Sequence, residues 1–261
     1  AEQQGAFGWI ERLRINNFVH GDLEALVAAP HLHALNALAL VLTRSDSQYR
    51  ESATSHGNRS WTSLGSLPTL PRLRELTFLG LSVDEGGLEA LFAAVPEQLR
   101  VLDLDHTCFS NFSATRMAAL PILPHLRALT LRMNWDESLL AWGNWPGLSV
   151  VERLSLHGVD PPELAPLLAS PYWGALRDLD VSCGVLGGTN LEQFLASPPI
   201  GLLRSLRMYA IDAESVPALI ACRALDRLER LTLDTQFELT AEACQALRDY
   251  FGERLLMMGD I

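Results

Sequence analysis

The chain has 261 residues, of which 50 are leucine, and it carries 20 arginines, 31 acidic residues and no lysine, for a net charge of −11. This length suffices for a hydrophobic core, and so much leucine excludes an intrinsically disordered chain. The negative charge disfavours a nucleic-acid binder that relies on a basic surface, and no apolar run approaches the roughly 20 residues of a membrane span.

The N-terminal residues 1–9 have no basic region followed by an apolar stretch, so we expect no signal peptide and interpret them as an N-terminal cap. The four cysteines are far apart and form no CxxC pair; they are Cys108, Cys183, Cys222 and Cys244. Reduced, buried thiols are the simplest interpretation, and they favour a cytoplasmic protein. A metal site or a disulfide is the alternative.

An apolar-x-x-apolar-x-apolar triplet recurs nine times, and seven of the eight steps between successive triplets are 25 to 27 residues long. The triplets begin at Ile10, Leu35, Leu73, Leu99, Leu126, Val151, Leu176, Leu203 and Leu228. The last two apolar residues of a triplet are two positions apart, so a short strand points both to the same side. Stacked copies would bury this side in one continuous core, which predicts a solenoid of parallel strands.

The segments between the triplets must cross back over the sheet, and such crossovers are commonly helical. Several have apolar residues at the spacing of a helix with one buried face, for example Leu164, Leu167 and Leu168. The other segments of this kind begin at Leu23, Leu88, Leu191 and Val216. Plausible N-caps precede these helices and a last one through Leu247; they are Asp22, Asp84, Asp160, Thr189, Asp212 and Thr240.

These repeats resemble the leucine-rich repeat family over residues 9 to 258, and their length is similar to that of the ribonuclease-inhibitor-like subclass. The stretch 164–171 resembles repeats of GC-rich bacteria such as myxobacteria and planctomycetes, and an arginine-only set of cations is in keeping with such a genome. The resemblance implies an α/β solenoid, a curved horseshoe of about nine repeats, with short parallel strands on its concave face and helices on its convex face. It also implies a single domain over 1–261 that binds a protein partner.

Two places depart from the regular period. A step of 38 residues places an insertion within 43–67, which we interpret as a rim loop that is either a tolerated excursion or a partner contact. Three tryptophans, Trp135, Trp142 and Trp145, fall within eleven residues. They either fill the core or expose an aromatic anchor for a partner, and Trp135 is the candidate anchor.

The C-terminal residues 236–261 are interpreted as a cap or as an unfinished tenth repeat. In that repeat, the spacing predicts that Leu256 and Met258 take the buried strand positions. An exposed terminal strand edge invites pairing, so we expect a monomer or a weak dimer through the C-terminal edge.

The positions predicted to be exposed on the nine strand units carry eleven arginines and nine acids, whereas the rest of the chain carries nine arginines and 22 acids. The concave face is therefore close to neutral, at +2, and the remainder is at −13. The charged side chains either pair with one another for solubility or form a recognition face, for which the planar guanidinium is well suited. The candidate partner-binding residues are Arg14, Asn16, Asp103, Asp105, Arg132, Trp135, Arg153, His157, Asp180, Arg207, Tyr209 and Asp234.

The sequence contains none of the P-loop, GxGxxG, HExxH, GxSxG or CxxC motifs, and its seven histidines lack metal-binding spacing. Asp103, Asp105 and His106 form the best polar cluster, but such a cluster on a concave face is more typical of a binding epitope than of a catalyst. We therefore predict no catalytic residue, metal or cofactor, and a non-enzymatic scaffold for protein–protein interaction. The alternative is the recognition domain of a larger enzyme or signalling protein, as an unfinished repeat and the absent N-terminal Met would suggest.

Overall fold

The computed structural model describes residues 11–16, 24–26, 28–29, 32, 34–41, 65–67, 69–79, 85–94, 97–105, 114–132, 141–159, 161–183, 186–209, 211–234 and 239–258. Within these ranges the chain forms ten short strands. They are β1 (Arg12–Asn16), β2 (Ala37–Val41), β3 (Glu75–Leu79), β4 (Val101–Leu104), β5 (Ala128–Arg132), β6 (Arg153–Val159), β7 (Asp178–Cys183), β8 (Ser205–Tyr209), β9 (Arg230–Asp234) and β10 (Leu255–Met258).

Six α-helices have described bounds, and they are α1 (Glu85–Ala93), α2 (Ala114–Ala119), α3 (Pro161–Leu168), α4 (Gly188–Leu195), α5 (Val216–Ala221) and α6 (Ala241–Phe251). The strands lie side by side in chain order, and each pairs in parallel with the next. This arrangement is an open α/β solenoid of horseshoe type, so the predicted fold class is confirmed. In the described part of the chain, no helix is long and apolar enough to cross a membrane.

The predicted triplets explain how the sheet packs. In β3, Leu76 and Phe78 are completely buried, whereas Glu75, Thr77 and Leu79 on the opposite side are half-buried. The apolar side chains of all ten strands pack with those of the helices in a single core. We call the side of the sheet that faces this core the inner face and the opposite side, which the sequence predicts to be concave, the outer face.

The crossovers contain 3₁₀ turns as well as α-helices, which the apolar spacing alone did not predict. One such turn stands directly before most of the strands; the described turns of this kind are Leu70–Arg72, Pro146–Val150, Trp173–Ala175, Pro198–Leu202, Arg223–Arg227 and Gly252–Arg254. The first apolar residue of a triplet ends the turn, as when the backbone N–H of Leu176 donates to the carbonyl of Trp173 at 3.1 Å. A 3₁₀ turn is short enough to bring that residue into the core immediately before the strand begins.

Of the predicted N-caps, Thr240 is confirmed for α6, Asp212 caps the 3₁₀ turn at 213–215 that leads into α5 rather than α5 itself, and Thr189 is wrong. Asp212 Oδ1 accepts a hydrogen bond from the backbone N–H of Ser215 (2.8 Å), and Thr240 Oγ1 accepts one from Ala243 (3.2 Å). Thr189, by contrast, lies inside α4, because the preceding glycine pair already starts the helix and Gly187 takes the cap position. The other three predicted caps, Asp22, Asp84 and Asp160, lie outside the described residues.

The predicted phase of the C-terminal strand is wrong by one residue. Leu255 pairs with Leu231 and Met257 with Leu233, so these residues turn inward. Leu256 and Met258 lie on the outer face instead, with exposures of 52% and 40%. The last step is one residue shorter than predicted because α6 ends at a left-handed Gly252 and a single 3₁₀ turn leads directly into β10; a shift of one residue moves every side chain of a strand to the other face.

The two described tryptophans of the tryptophan-rich segment, Trp142 and Trp145, belong to the core. Trp142 and Trp145 are buried, and their rings stand edge to face with centroids 5.8 Å apart. The ring of Phe92 stands edge to face with that of Trp145, with centroids 5.1 Å apart. The indole N–H of Trp145 donates to the carbonyl of Pro121 at 3.3 Å. Trp135, the N-terminal cap 1–9 and all of the insertion except 65–67 lie outside the described residues.

Two of the four cysteines have described side chains. Cys244 is buried and Cys222 is half-buried, and both are free thiols. The described part of the structure thus contains these two cysteines in the reduced form that the sequence favoured.

Candidate functional site

The parallel register aligns the outward side chains of successive strands in rows that cross the sheet. The first row consists of Arg12, Ala37, Glu75, Val101, Ala128, Arg153, Asp178, Ser205 and Arg230. The second consists of Arg14, Ala39, Thr77, Asp103, Thr130, Ser155, Asp180, Arg207, Thr232 and Leu256. Neighbouring strands are about 4.8 Å apart, so adjacent members of a row are within side-chain reach.

The rows bring most of the predicted site residues into one neighbourhood on β4 to β9. This group consists of Asp103, Asp105, Arg153, His157, Asp180, Arg207, Tyr209 and Asp234. Arg14 and Asn16 lie apart from it on β1, where the guanidinium of Arg14 donates to the side-chain oxygen of Asn16 at 3.1 Å. The backbone of Arg132 pairs with that of His157, and Trp135 lies outside the described residues.

Arg207 is at the centre of several of these contacts. Its guanidinium is 3.9 Å from the carboxylate of Asp234, 3.4 Å from the sulfur of Met258 and 4.8 Å from the centre of the Tyr209 ring. The last distance is that of a cation–π contact. Arg207 therefore links an acidic, an aromatic and an apolar side chain from three adjacent strands.

Asp180 is the register neighbour of Arg207 and is partly desolvated. Burial raises the pKa of its carboxyl, and the positive charges of Arg207 and His157 oppose this shift. Asp180 Oδ1 and Arg207 Nε are both shielded from solvent, and neither has a hydrogen-bond partner among the described residues. An unsatisfied buried polar atom costs about 1–3 kcal/mol, so the burial of these two atoms lowers the free energy of unfolding of the protein.

Tyr209 and His157 extend this charged region in opposite directions. Burial, and next the negative charge of Asp180, raise the pKa of the Tyr209 hydroxyl. His157 Nδ1 is 3.6 Å from Asp105 Oδ1, and the two side chains form an ion pair when the imidazole is protonated. Titratable side chains of β4, β6, β7, β8 and β9 are thus electrostatically connected across the outer face.

Two shallow, open depressions lie on this half of the outer face. The larger has a volume of about 570 Å³ and is lined by Glu152, Ala175, Arg177, Asp178, Arg204, Ser205, Glu229 and Arg230. The smaller, of about 320 Å³, is lined by Arg153, Leu154, Ser155, Asp178, Leu179, Asp180, Ser205, Arg207, Arg230, Thr232, Leu256 and Met258. Charged side chains make up most of the lining of the larger depression and five of the twelve lining residues of the smaller, and both are open, unlike the clefts that bury most of a small molecule.

Several charged residues at the strand entries have structural roles that the sequence interpretation missed. Arg177 Nη1 donates to the carbonyls of Leu176 (2.7 Å) and Gly174 (3.3 Å), and Arg127 makes the equivalent bond to Leu126 (2.8 Å). These bonds satisfy carbonyls in the turns that lead into β5 and β7. The available signal was a Leu-Arg pair at the start of five triplets, at Arg74, Arg100, Arg127, Arg177 and Arg204.

Other charges pair across the sheet, as one of the two sequence interpretations proposed. Arg12 reaches across the small Ala37 to Glu75 at 2.9 Å, and Arg127 is 3.2 Å from Glu152. The exposed fractions of these side chains are large, so each pair contributes at most about 1 kcal/mol. Pairing therefore explains part of the charge on the outer face, but it provides little stability.

The two aspartates of the predicted polar cluster, Asp103 and Asp105, contact each other through a hydrogen bond to the backbone. Asp103 and Asp105 share the outer face as expected, and Asp103 Oδ1 accepts the backbone N–H of Asp105 at 3.0 Å. His106 lies outside the described residues. Among the residues that the structure describes, no group of three or more His, Cys, Asp or Glu side chains could hold a metal ion.

Comparison with known proteins identifies no relative: no family model matches the chain, and no curated protein matches it. The outer face itself is therefore the basis on which a function can be assigned.

Proposed function

We propose that this protein is a non-enzymatic binding module of the leucine-rich repeat kind, and that its outer face holds a protein partner. The observation that carries this proposal is the partly desolvated group around Asp180 and Arg207, which lies beside open depressions on an otherwise regular sheet. The side chains of Arg207 and Asp234 in this group remain 34% and 27% exposed, so a partner that covers the region can contact both charged groups directly.

The chemistry of this region suits a protein surface. Arginine and tyrosine are enriched among the residues that dominate binding energy at interfaces, and Arg207 and Tyr209 are already in contact. The outer face alternates positive and negative side chains, which suits an extended surface of mixed charge. The depressions are too open to enclose a small molecule, and a net charge of −11 disfavours nucleic acid.

The exposed apolar side chains of β10 could support weak self-association of the protein. Leu256 and Met258 are exposed on β10, the last described strand of the sheet. We propose a monomer, with a weak dimer through the β10 edge at high concentration as the alternative. Sedimentation equilibrium over a range of concentrations would distinguish the two states.

The test is affinity capture from cells in which the protein is native, with two variants of equal charge change. Ser155→Glu with Ser205→Glu adds two carboxylates to the outer face, at serines whose hydroxyl groups form no hydrogen bond with another described residue. Gln193→Glu with Ala221→Glu adds two carboxylates to exposed positions on α4 and α5. We expect the wild type and the helix-side variant to retain the same partner, and the outer-face variant to lose it; equal capture by all three proteins would contradict the proposal.

A further inference from the structure

Two arginines of the outer face carry charges that nothing described neutralises at close range. Arg153 on β6 and Arg230 on β9 are exposed, and neither guanidinium forms a hydrogen bond or an ion pair with another described residue. They belong to the same row, separated by Asp178 and Ser205. At about 4.8 Å per strand, their backbones are about 14 Å apart.

Both arginines line the smaller depression, of about 320 Å³, together with Arg207. The acidic side chains of this depression are Asp178 and Asp180, so arginines outnumber carboxylates by three to two. Arg207 is already paired with Asp234, so the positive charge of the depression comes from Arg153 and Arg230, whose guanidinium groups form no ion pair with another described residue.

One wall of the same depression is apolar. Leu256 lies beside Thr232 on the neighbouring strand, and Thr232 is the next outward residue after Arg230. Because outward residues of a strand are about 6.6 Å apart and strands about 4.8 Å apart, Arg230 and Leu256 are about 8 Å apart. That separation is close to the distance between residues i and i+2 of an extended peptide.

We propose that this depression binds an extended protein segment in which an acidic residue and an aliphatic residue are two positions apart. The carboxylate pairs with Arg230, the aliphatic side chain packs on Leu256 and Met258, and Arg153, three strands away from Arg230, adds positive charge at the far end of the depression. Arginine suits this role because its guanidinium presents paired donors to a carboxylate. This inference rests on the proposed function, since it names the chemistry of the partner that the outer face holds.

The charge distribution also limits where such a segment can bind. The residues away from the strand faces carry a net charge of −13, so an acidic segment is repelled from most of the surface. A basic segment would be attracted to those regions and would meet three arginines in the depression. Charge complementarity therefore favours the acidic segment at this place and disfavours the basic one.

The test measures the fluorescence anisotropy of labelled nine-residue peptides in which Glu-Ser-Leu stands at the centre of a Gly/Ser sequence. The comparison peptides replace Glu by Gln, Glu by Lys, or Leu by Ser. Charge-assisted hydrogen bonds to a carboxylate are strong enough that we expect the Glu peptide to bind the wild type about tenfold more tightly than the Gln peptide. We expect the Lys peptide to bind more weakly still.

Two protein variants test whether the preferences for Glu and for Leu come from the residues of the depression. Arg153→Gln with Arg230→Gln should remove the preference for Glu over Gln, and Leu256→Ser should remove the preference for Leu over Ser. Arg74→Gln with Arg100→Gln is the matched control, because it removes two exposed strand-entry arginines that lie away from the depression and whose guanidinium groups, unlike those of Arg127 and Arg177, form no hydrogen bond with a described residue. The control should retain both preferences.

Several outcomes would overturn the inference. Equal binding of the Glu and Gln peptides to the wild type would do so, as would equal losses in the control and in the Arg153→Gln, Arg230→Gln variant. A dimer of the wild type that the same variant abolishes would show that the depression holds a second copy of this chain instead.

Capture experiments separate this inference from the proposed function. If the native partner is lost with the outer serine variant but retained with Arg153→Gln, Arg230→Gln, the outer face binds a protein but not through this depression. If every variant retains the partner, both proposals are wrong.

Discussion

The inner and outer faces of the sheet differ although the same strands form both. Inward positions are almost uniform, with Leu76, Leu102 and Leu129 at the same level of successive strands and all nearly inaccessible to solvent. Outward positions at the next level change from Thr77 to Asp103 and, farther along, to Asp180. The fold therefore depends on the apolar side chains of the inner face. The side chains of the outer face can differ from strand to strand without altering the backbone.

The outer face is itself uneven. At its N-terminal end β2 presents Ala37, Ala39 and Val41, which are small or apolar, whereas β6 to β9 present charged and aromatic side chains. The two depressions and the desolvated pair lie on the second half. Function is therefore expected to be concentrated toward the C-terminal half of the sheet.

The strongest test of the two-face comparison uses adjacent residues of β6. Leu156 is completely buried, whereas Ser155 points outward. Leu156→Ala leaves a cavity in the core and should lower the free energy of unfolding by about 2–5 kcal/mol. Ser155→Ala should change it by less than about 0.5 kcal/mol, as is usual for surface positions. Urea unfolding followed by circular dichroism measures both, and similar losses would contradict the assignment of the faces.

A second test concerns the close packing behind the sheet. A Cβ atom at Gly147 would overlap the ring of Trp145, whereas one at Gly174, in the next 3₁₀ turn along the chain, would meet nothing within 4 Å. Gly147→Ala should therefore destabilise the protein by about 1–3 kcal/mol through overpacking. Gly174→Ala should leave thermal stability unchanged or raise it slightly, because alanine reduces the entropy of the unfolded chain. Equal melting temperatures for the two variants would disprove this packing.

The arginines at the strand entries test whether a charged outer residue can be structural. Arg177→Met removes the donor to the carbonyls of Leu176 and Gly174, so we expect a loss of about 1 kcal/mol. Arg153→Met is the control, since the Arg153 guanidinium forms no hydrogen bond with a described residue, and it should have almost no effect on stability. Chemical denaturation of both variants decides the point; a larger loss for Arg153→Met would reverse the assignment of roles.

The smallest effect is a pH dependence at Asp180. Burial raises its pKa in the folded protein above the ordinary value of 3.8, so the folded state holds the proton more tightly than the unfolded state does. Its contribution to stability is therefore greatest below the unfolded pKa and is lost as pH rises through the folded pKa. Relative to Asp180→Asn, the wild type should lose stability as the pH increases through this window.

Unfolding measured from about pH 4 to about pH 7 checks this dependence, since carboxyl linkage falls in that range. Asp178→Asn is the control for the removal of one carboxylate from the same strand. A wild type that gains stability relative to Asp180→Asn with rising pH would contradict the sign of the shift.

The sequence by itself was sufficient to predict the parallel solenoid, because burial of one strand face imposes a two-residue spacing on every repeat. It also placed Asp105, His157, Asp180, Arg207, Tyr209 and Asp234 on one face, since the period aligns successive strands. It could not predict which of these side chains are desolvated, because that depends on neighbours from adjacent strands that are about 25 residues away in the chain.

The C-terminal strand illustrates the same limit. Its phase depends on the length of a single 3₁₀ turn, and the leucines and methionines at 255–258 are apolar at every position, so the pattern fits both registers. Only the tertiary structure, through pairing of Leu255 with Leu231, decides that Leu256 and Met258 face outward. Periodicity in the sequence determined the core, because burial is repeated in every turn of the solenoid. The surface was decided by packing between strands, because each of its contacts occurs only once.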